Sequence, residues 1–387
     1  MQFSPIRKLS PYADDAVKRG IKVYHLNIGQ PDVETPSNFF DGIKSFNEKV
    51  LKYTGSQGIE KLIDSFIEYY KKWNIDFEKD EILVTNGGSE AILFTLMEVC
   101  DPGEEVIIPE PFYTNYNGFS NAAGVKVTPF ITKAEDGFHL PDRKVIEKKI
   151  TDKTRAILIS NPGNPTGVVY TYDEIRMLTD IAKKYDLYLI VDEAYREFVY
   201  DNLKYTSALY MKDALDRIIL IDSISKRYSA CGARIGIAAS KNKEFMHQML
   251  KLGQTRLCVP TIEQFGALNL INTPEEYFKK VKEEYQERRD ILYSNLCKIP
   301  GVVCQKPTGA FYIVAKLPVK DAEDFAKWML TDFNYEGKTV MVAPAAGFYS
   351  TNGLGRDEVR ISYCINKESL EDAMKILKIA LEKYNKK

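Results

Sequence analysis

The residues best suited to chemistry stand directly after short apolar runs that are typical of β-strands. Asn86-Gly87-Gly88-Ser89-Glu90 follows the run at residues 81–85 and opens an amphipathic stretch. Glycines let a ligand approach the backbone closely, and a helix N-terminus offers free N–H groups and a positive dipole end to a phosphate. Taken alone, this motif is explained more simply as a glycine turn with Ser89 as the helix cap.

Three more motifs follow later apolar runs. The segment 161–167, Asn-Pro-Gly-Asn-Pro-Thr-Gly, is more constrained than an ordinary turn requires, which favours a function. Asp192 ends an apolar run, and a buried carboxylate needs a partner. Lys226 lies beside small hydroxyl residues and eight residues before Arg234. A single lysine is usually a solvated surface charge, but its occurrence with these other motifs after successive strands indicates a functional site.

The elements that must position these motifs are alternating strands and helices. Helical patterns, such as residues 89–100 and 173–185, separate the apolar runs, which cover residues 81–85, 105–108, 125–130, 155–160, 187–191, 217–221 and 235–239. This alternation predicts an α/β fold with a large, mostly parallel central sheet covered by helices on both faces. Ligands bind such sheets at the carboxyl ends of the strands.

The pattern changes after a long charged helix predicted at residues 274–298. Predicted strands at 310–315, 339–342 and 358–363 and a closing helix at 367–383 indicate a smaller α+β domain. We predict a large domain at residues 45–288 and a small domain at 289–387. We assign the N-terminal segment, residues 1–44, to the small domain.

Composition excludes several classes of protein. Among 387 residues, 44% are hydrophobic and 28% charged, so the chain is not expected to be disordered. The net charge of −1 shows no basic excess, so we expect no nucleic-acid partner. We find neither an apolar run of about 18 residues nor a secretory h-region, and we expect a cytoplasmic protein with no membrane association. The spacing of six cysteines and three histidines predicts no metal site and no disulfide framework.

The combination of motifs resembles a known family. Ser-x-Ser-Lys with an arginine eight residues on, Asn-Pro-x-Asn-Pro-Thr-Gly and Asp-Glu-Ala-Tyr occur here together at Lys226, residues 161–167 and residues 192–195. In this respect the chain is similar to class I aminotransferases, which are pyridoxal-phosphate enzymes of the aspartate aminotransferase superfamily and of fold type I. The similarity extends from Asn27 to Ser362.

The resemblance implies roles for the residues that would hold pyridoxal phosphate. Lys226 would bind it as a Schiff base and move the substrate proton. Asp192 would keep the pyridine nitrogen protonated, so that the ring accepts electrons. Asn164 and Tyr195 would hydrogen-bond the phenolic oxygen, and Tyr113 would stack on the ring. The phosphate would be held by Gly88, Ser89, Ser223, Ser225 and Arg234.

The resemblance also implies substrate contacts and a second subunit. Arg360, supported by the Gly29 backbone, would bind the substrate α-carboxylate as a bidentate pair. Tyr53 would contact the phosphate bound in the partner subunit of a homodimer with shared active sites. Arg256 lies near the region where aspartate-using relatives place an arginine for the distal carboxylate. An arginine that packs at the dimer interface is the alternative for Arg256.

We therefore expect the transfer of an amino group between an L-amino acid and a 2-oxo acid. Our first choice for this pair is aspartate and 2-oxoglutarate. Within the same fold, a broad-specificity alanine, glutamate or aromatic aminotransferase, or a carbon–sulfur lyase, uses the same cofactor residues. Two further alternatives are a nicotinamide oxidoreductase, which is a different class of protein, and a cofactor-free regulatory relative. The absence of G-x-G-x-x-G and of a Walker motif argues against NAD and ATP binding, and the intact set of Lys226, Asp192 and Arg360 argues against a regulatory relative.

Overall fold

The computed structural model describes residues 4–386 and contains a seven-stranded central sheet. In chain order the strands of the whole structure are β1 Lys22–His25, β2 Ile82–Thr85, β3 Glu105–Glu110, β4 Lys126–Ile131, β5 Thr154–Ser160, β6 Tyr188–Asp192, β7 Ile218–Ser223, β8 Gly236–Ser240, β9 Val303–Cys304, β10 Tyr312–Lys316, β11 Lys338–Met341, β12 Ala343–Pro344 and β13 Glu358–Ser362. The central sheet has the order β2-β8-β7-β6-β5-β3-β4. Only β8 runs antiparallel to its neighbours. The predicted α/β fold with a mostly parallel sheet is confirmed.

The inner strands are apolar on both faces because helices cover both faces of the sheet. In β5, Ile157 and Ile159 belong to one buried cluster, whereas Ala156 and Leu158 belong to another. Side chains alternate between the two faces of a strand, so these clusters are the two layers of core on either side of the sheet.

The α-helices surround this sheet and a smaller one. They are α1 Ser10–Lys18, α2 Ser37–Lys44, α3 Glu60–Lys71, α4 Gly87–Val99, α5 Asn115–Ala123, α6 Arg143–Glu147, α7 Tyr172–Lys184, α8 Ile224–Arg227, α9 Lys243–Arg256, α10 Thr261–Leu268, α11 Glu275–Leu296, α12 Ala322–Thr331 and α13 Lys367–Tyr384. Within residues 4–386, no helix is long and apolar enough to cross a membrane.

The smaller sheet has the order β12-β13-β10-β9 and is antiparallel. Its core includes side chains from both ends of the chain, since Leu9 and Leu26 pack in one cluster with Leu377. Strand β1 pairs in parallel with β11. Phe39 of α2 instead packs in a cluster with residues of the central sheet. The domain limits at residues 44 and 288 stay a prediction.

Candidate active site

A cleft of about 690 Å³ opens beside the carboxyl ends of β5, β6 and β7. The structure brings most of the predicted site residues into its lining, although they come from distant parts of the chain. These are Gly29, Gly88, Ser89, Tyr113, Asn164, Asp192, Tyr195, Ser223, Ser225, Lys226, Arg234 and Arg360. This convergence is the expected result of placing loops at one edge of a parallel sheet.

Lys226 lies on the one-turn helix α8, which begins directly after β7. Ser223 caps the helix, since its Oγ accepts a hydrogen bond from the Ser225 backbone N–H at 3.1 Å. The Lys226 Nζ donates to the Gly29 carbonyl oxygen at 2.8 Å and lies 3.8 Å from the Cys231 Sγ. Its amine is therefore held at the cleft by a neutral carbonyl group, and among residues 4–386 it forms no ion pair.

Asp192 ends β6 and is only 9% exposed. Its Oδ2 accepts a hydrogen bond from the Tyr116 hydroxyl at 2.9 Å, and its Oδ1 accepts one from the Ala194 N–H at 3.1 Å. Burial raises the pKa of Asp192 to about 6, and these hydrogen bonds partly oppose the rise. No cation in the described chain pairs with this carboxylate, so a cationic ligand group in the cleft would stabilise it.

The N-terminus of α4 forms one end of the cleft. Gly87 has φ +72°, and a Cβ there would lie 2.4 Å from the Arg234 Nη2, so only glycine allows this arginine to approach the helix start. Arg234 itself has a left-handed backbone with φ 52°. The Ser223 hydroxyl donates to the Ser225 Oγ at 2.7 Å. Helix N–H groups, two hydroxyls and a guanidinium suit a phosphate dianion.

Arg360 on β13 is buried, with 1% exposure, and no carboxylate among residues 4–386 pairs with it. Its Nη1 donates to the Asn164 Oδ1 at 3.0 Å, and its Nη2 donates to the Asn27 carbonyl oxygen at 2.5 Å. Its Nε is buried without a hydrogen-bond partner in the same part of the chain. A buried guanidinium without a counterion is costly unless an anion binds to it, and a ligand carboxylate meets that need.

Aromatic side chains form the walls of the cleft. The hydroxyl groups of Tyr195 and Tyr312 are 2.8 Å apart, and the Arg360 guanidinium lies 4.5 Å from the centre of the Tyr312 ring. The Tyr113 hydroxyl accepts a hydrogen bond from the Asn115 Nδ2 at 2.8 Å. Burial raises the pKa of Tyr195 well above its usual value, so the hydroxyl is protonated and able to donate at neutral pH.

Two predicted site residues are not part of this cleft in their own chain. Tyr53 is 79% exposed and lies outside the lining. The Arg256 Nη1 donates to the Glu90 Oε2 at 3.1 Å, and its Nη2 donates to the carbonyl oxygens of Ser56 and Val84 at 3.0 and 3.2 Å. Since Glu90 Oε2 also accepts the Asn86 N–H at 2.8 Å, Arg256 supports the turn that precedes α4.

The sequence reasoning missed several residues of the site, and three of them hold predicted site residues in place. Tyr116 binds Asp192 from α5, whereas Tyr113 precedes that helix, so no helical spacing relates the two tyrosines. Tyr312 contacts both Tyr195 and Arg360, and Asn27 holds Arg360, but no motif in the sequence marks either role. Their contribution depends on the packing of β10 and the N-terminal segment against the central sheet.

Comparisons with known proteins agree with this geometry. The family model "Aminotransferase class I and II" matches residues 21–377. Aspartate aminotransferase of Bacillus subtilis is 32% identical over 377 residues, covering 95% of this chain and 93% of the relative. A single mutant of the Thermus thermophilus aspartate aminotransferase superposes with a TM-score of 0.90 at 27% identity, covering 98% and 97% of the two chains. An alanine aminotransferase from Pyrococcus furiosus superposes with a TM-score of 0.89 at 31% identity, covering 98% of this chain and 97% of that chain.

The fold and the cleft define a pyridoxal-phosphate enzyme of fold type I. The chain belongs to the class I and II aminotransferase family, and it is an aminotransferase. The residues present fit the cofactor, because a buried carboxylate, a lysine amine and a phosphate-type donor set line one cleft. The alternatives of a nicotinamide oxidoreductase and a cofactor-free relative are thereby excluded.

Proposed function

We propose that this aminotransferase passes the amino group of L-aspartate to 2-oxoglutarate. The observation that carries the proposal is Arg360, a buried guanidinium without a counterion in the described chain, in the same cleft as Lys226 and Asp192. Every amino acid and 2-oxo acid carries the carboxylate that Arg360 requires. Aspartate as the donor is supported by the relatives of Bacillus subtilis and Pyrococcus horikoshii, both named aspartate aminotransferases.

The side chains of the cleft have separate tasks in this reaction. Bound pyridoxal phosphate supplies a ring that accepts the electrons released at the substrate α-carbon. Arg360 binds the α-carboxylate, and the Lys226 Nζ carries the proton from the α-carbon. Asp192 would keep a proton on the pyridine nitrogen. Asn164 and Tyr195 would hydrogen-bond the phenolic oxygen, and Tyr113 would cover the ring.

The remaining ring and phosphate contacts follow from the same cleft. Gly88 and Ser89 at the start of α4 bind the phosphate with Ser223, Ser225 and Arg234. These groups would hold the phosphate end of the cofactor, while Lys226 supplies the amine that reacts with it. Residues that hold a reactant in place before the reaction lower the entropy cost of the reaction.

A homodimer is part of the proposal. Val50, Leu51, Tyr53 and Leu257 are all more than half exposed, and the Thr261 hydroxyl contacts the Lys52 carbonyl oxygen, so the two segments that carry them adjoin. An exposed apolar patch of this kind supports a contact with a second copy of the chain, from which Tyr53 would reach the partner's phosphate. Leu51→Asp should convert a dimer into monomers in analytical ultracentrifugation, whereas Val17→Asp, an exposed apolar control on α1, should not.

A cytoplasmic location is also proposed. The six cysteines are all free, which fits a reducing compartment. Fractionation of the producing cells, with activity measured in each fraction, tests this part of the proposal independently of the substrate.

The function is tested with the purified holoenzyme and a panel of donors. Oxaloacetate formation from aspartate and 2-oxoglutarate is expected to have the highest kcat/KM, above alanine and phenylalanine as donors to the same 2-oxo acid. Arg360→Lys keeps the charge but loses the planar fork, so it should lower kcat/KM for every donor. Highest activity with alanine or phenylalanine would replace aspartate with a broad specificity. Release of ammonia and a thiol from cystathionine without a 2-oxo acid would instead indicate a carbon–sulfur lyase.

A further inference from the structure

The charges that line the cleft are unbalanced. Four cations face it, Arg7, Lys226, Arg234 and Arg360, but Asp192 is the only carboxylate among its described lining residues. The proposed function uses three of these cations, for the cofactor aldehyde carbon, the phosphate and the substrate α-carboxylate. Arg7 has no role in the proposed function, and no carboxylate among the described lining residues balances its charge.

The segment around Arg7 is attached to the α-carboxylate site. The Asn27 Nδ2 donates to the Ile6 carbonyl oxygen at 2.9 Å, and the Asn27 carbonyl oxygen accepts the Arg360 Nη2 at 2.5 Å. Asn27 therefore connects the backbone beside Arg7 to the Arg360 guanidinium through two hydrogen bonds. Ile6 also packs on the cluster that contains Phe348, whose ring centre lies 4.9 Å from the Arg360 guanidinium.

The backbone is fixed on both sides of Arg7. A Cβ at Gly347 would lie 2.2 Å from the Pro5 Cγ, so Pro5 fits against this glycine. On the C-terminal side, Lys8 forms an ion pair with Glu323, and Leu9 is buried with 3% exposure. Arg7 is thus an exposed side chain on a backbone anchored at both sides.

The Arg7 guanidinium is available for a ligand. Within residues 4–386 it forms no ion pair and no side-chain hydrogen bond, unlike Arg256, whose Nη atoms bind Glu90 and two carbonyl oxygens. Its charge acts inside the cleft. Burial raises the pKa of Tyr113, and the charges of Arg360 and Arg7 oppose that rise.

We infer that Arg7 binds the second carboxylate of a dicarboxylic amino acid or 2-oxo acid, and so determines the preference for acidic substrates. The inference rests on the proposed function, because it requires that Arg360 take the α-carboxylate. It assigns to Arg7 the part that the sequence motif suggests for Arg256. The long side chain of Arg7 can follow substrates of different length, which suits an enzyme that must bind both four- and five-carbon dicarboxylates.

The test compares holoenzyme variants Arg7→Ala and Arg7→Lys with Lys8→Ala. The neighbouring residue Lys8 is a matched control, since it pairs with Glu323 and does not line the cleft. Arg7→Ala should lower kcat/KM for aspartate about ten- to a hundredfold and leave alanine within about twofold, as expected for loss of a charge-assisted hydrogen bond. Arg7→Lys should recover part of the loss, and Lys8→Ala should leave the aspartate-to-alanine ratio unchanged.

Binding of succinate, an unreactive dicarboxylate, gives a readout without turnover. Its dissociation constant, measured by calorimetry, should rise by the same factor in Arg7→Ala. Equal losses for aspartate and alanine, or unchanged succinate binding, would overturn the role of Arg7. A wild-type enzyme that transaminates no amino acid would refute the proposed function, while the succinate comparison would still decide whether Arg7 binds a carboxylate.

Discussion

Replacement of Asp192 by asparagine should stabilise the cofactor-free protein while inactivating the enzyme. Burial raises the pKa of this carboxyl from 3.8 to about 6 in the folded chain. One pKa unit corresponds to about 1.4 kcal/mol, so the ionised Asp192 lowers the free energy of unfolding by about 3 kcal/mol at neutral pH. Asparagine has no charge to bury, and its Oδ1 can still accept the Ala194 N–H.

The gain in the free energy of unfolding from Asp192→Asn should become smaller as the pH falls. Between about pH 3.8 and 6 the folded protein binds more protons than the unfolded chain, so the wild type loses stability as the pH rises through this window. The advantage of Asp192→Asn should therefore be about 3 kcal/mol near pH 8, about half of that near pH 5, and only about 0.4 kcal/mol near pH 3.8. Urea unfolding of both cofactor-free proteins, at one fixed protein concentration, measures this difference.

Asp222 provides a control on the neighbouring strand. It is buried like Asp192, but it has a cation partner in the Arg227 Nη1 at 2.7 Å. Asp222→Asn breaks a buried ion pair and should destabilise the same cofactor-free protein by about 3–5 kcal/mol. A destabilised Asp192→Asn, or a gain equal at pH 5 and 8, would refute the reasoning.

The holoenzyme should respond to Asp192→Asn in the opposite sense. In the proposed function Asp192 is the charge partner of the pyridine nitrogen, so loss of the carboxylate should weaken cofactor binding about ten- to a hundredfold and remove most turnover. Equilibrium dialysis of pyridoxal phosphate and kcat at saturating cofactor measure the two effects. Near-normal turnover would assign Asp192 a structural role.

Three further outcomes follow from the cleft. Lys226→Ala should abolish transamination and covalent attachment of the cofactor by borohydride reduction with little change in the melting temperature; a reducible adduct in this variant would contradict the assignment. Gly29→Ala should lower the stability by about 1–3 kcal/mol and should also lower kcat/KM, because its Cβ would lie 1.9 Å from the Tyr312 hydroxyl. Normal thermal unfolding and normal kinetics would show that the structure relaxes to remove this contact. Arg256→Ala should destabilise the protein by about 1–3 kcal/mol because the partly buried ion pair with Glu90 is lost. The variant should lower kcat/KM for aspartate and alanine equally; a selective loss for aspartate would indicate that Arg256 binds the distal carboxylate.

Periodicity and composition were sufficient to predict the central sheet and the motifs that line the cleft. Short runs that are apolar at every position indicate strands covered on both faces, as in a parallel sheet. The central sheet could therefore be predicted from periodicity and composition. Because such strands end at one edge, motifs after β2, β5, β6 and β7 had to meet there, and Ser89, Asn164, Asp192 and Lys226 do. These are local signals that depend on a few neighbouring residues.

The substrate end of the cleft depends on long-range packing that no local pattern predicts. Arg7 and Asn27 belong to the N-terminal segment, whereas Tyr312 and Arg360 lie more than 280 residues later in the chain. The two pairs meet because β1 and β13 pack in one core with the C-terminal helices. The packing of α9 beside α4 on the central sheet decided that Arg256 binds Glu90 rather than facing the cleft of its own chain. No local pattern records such contacts, because burial and charge pairing at long sequence separation depend on the whole fold.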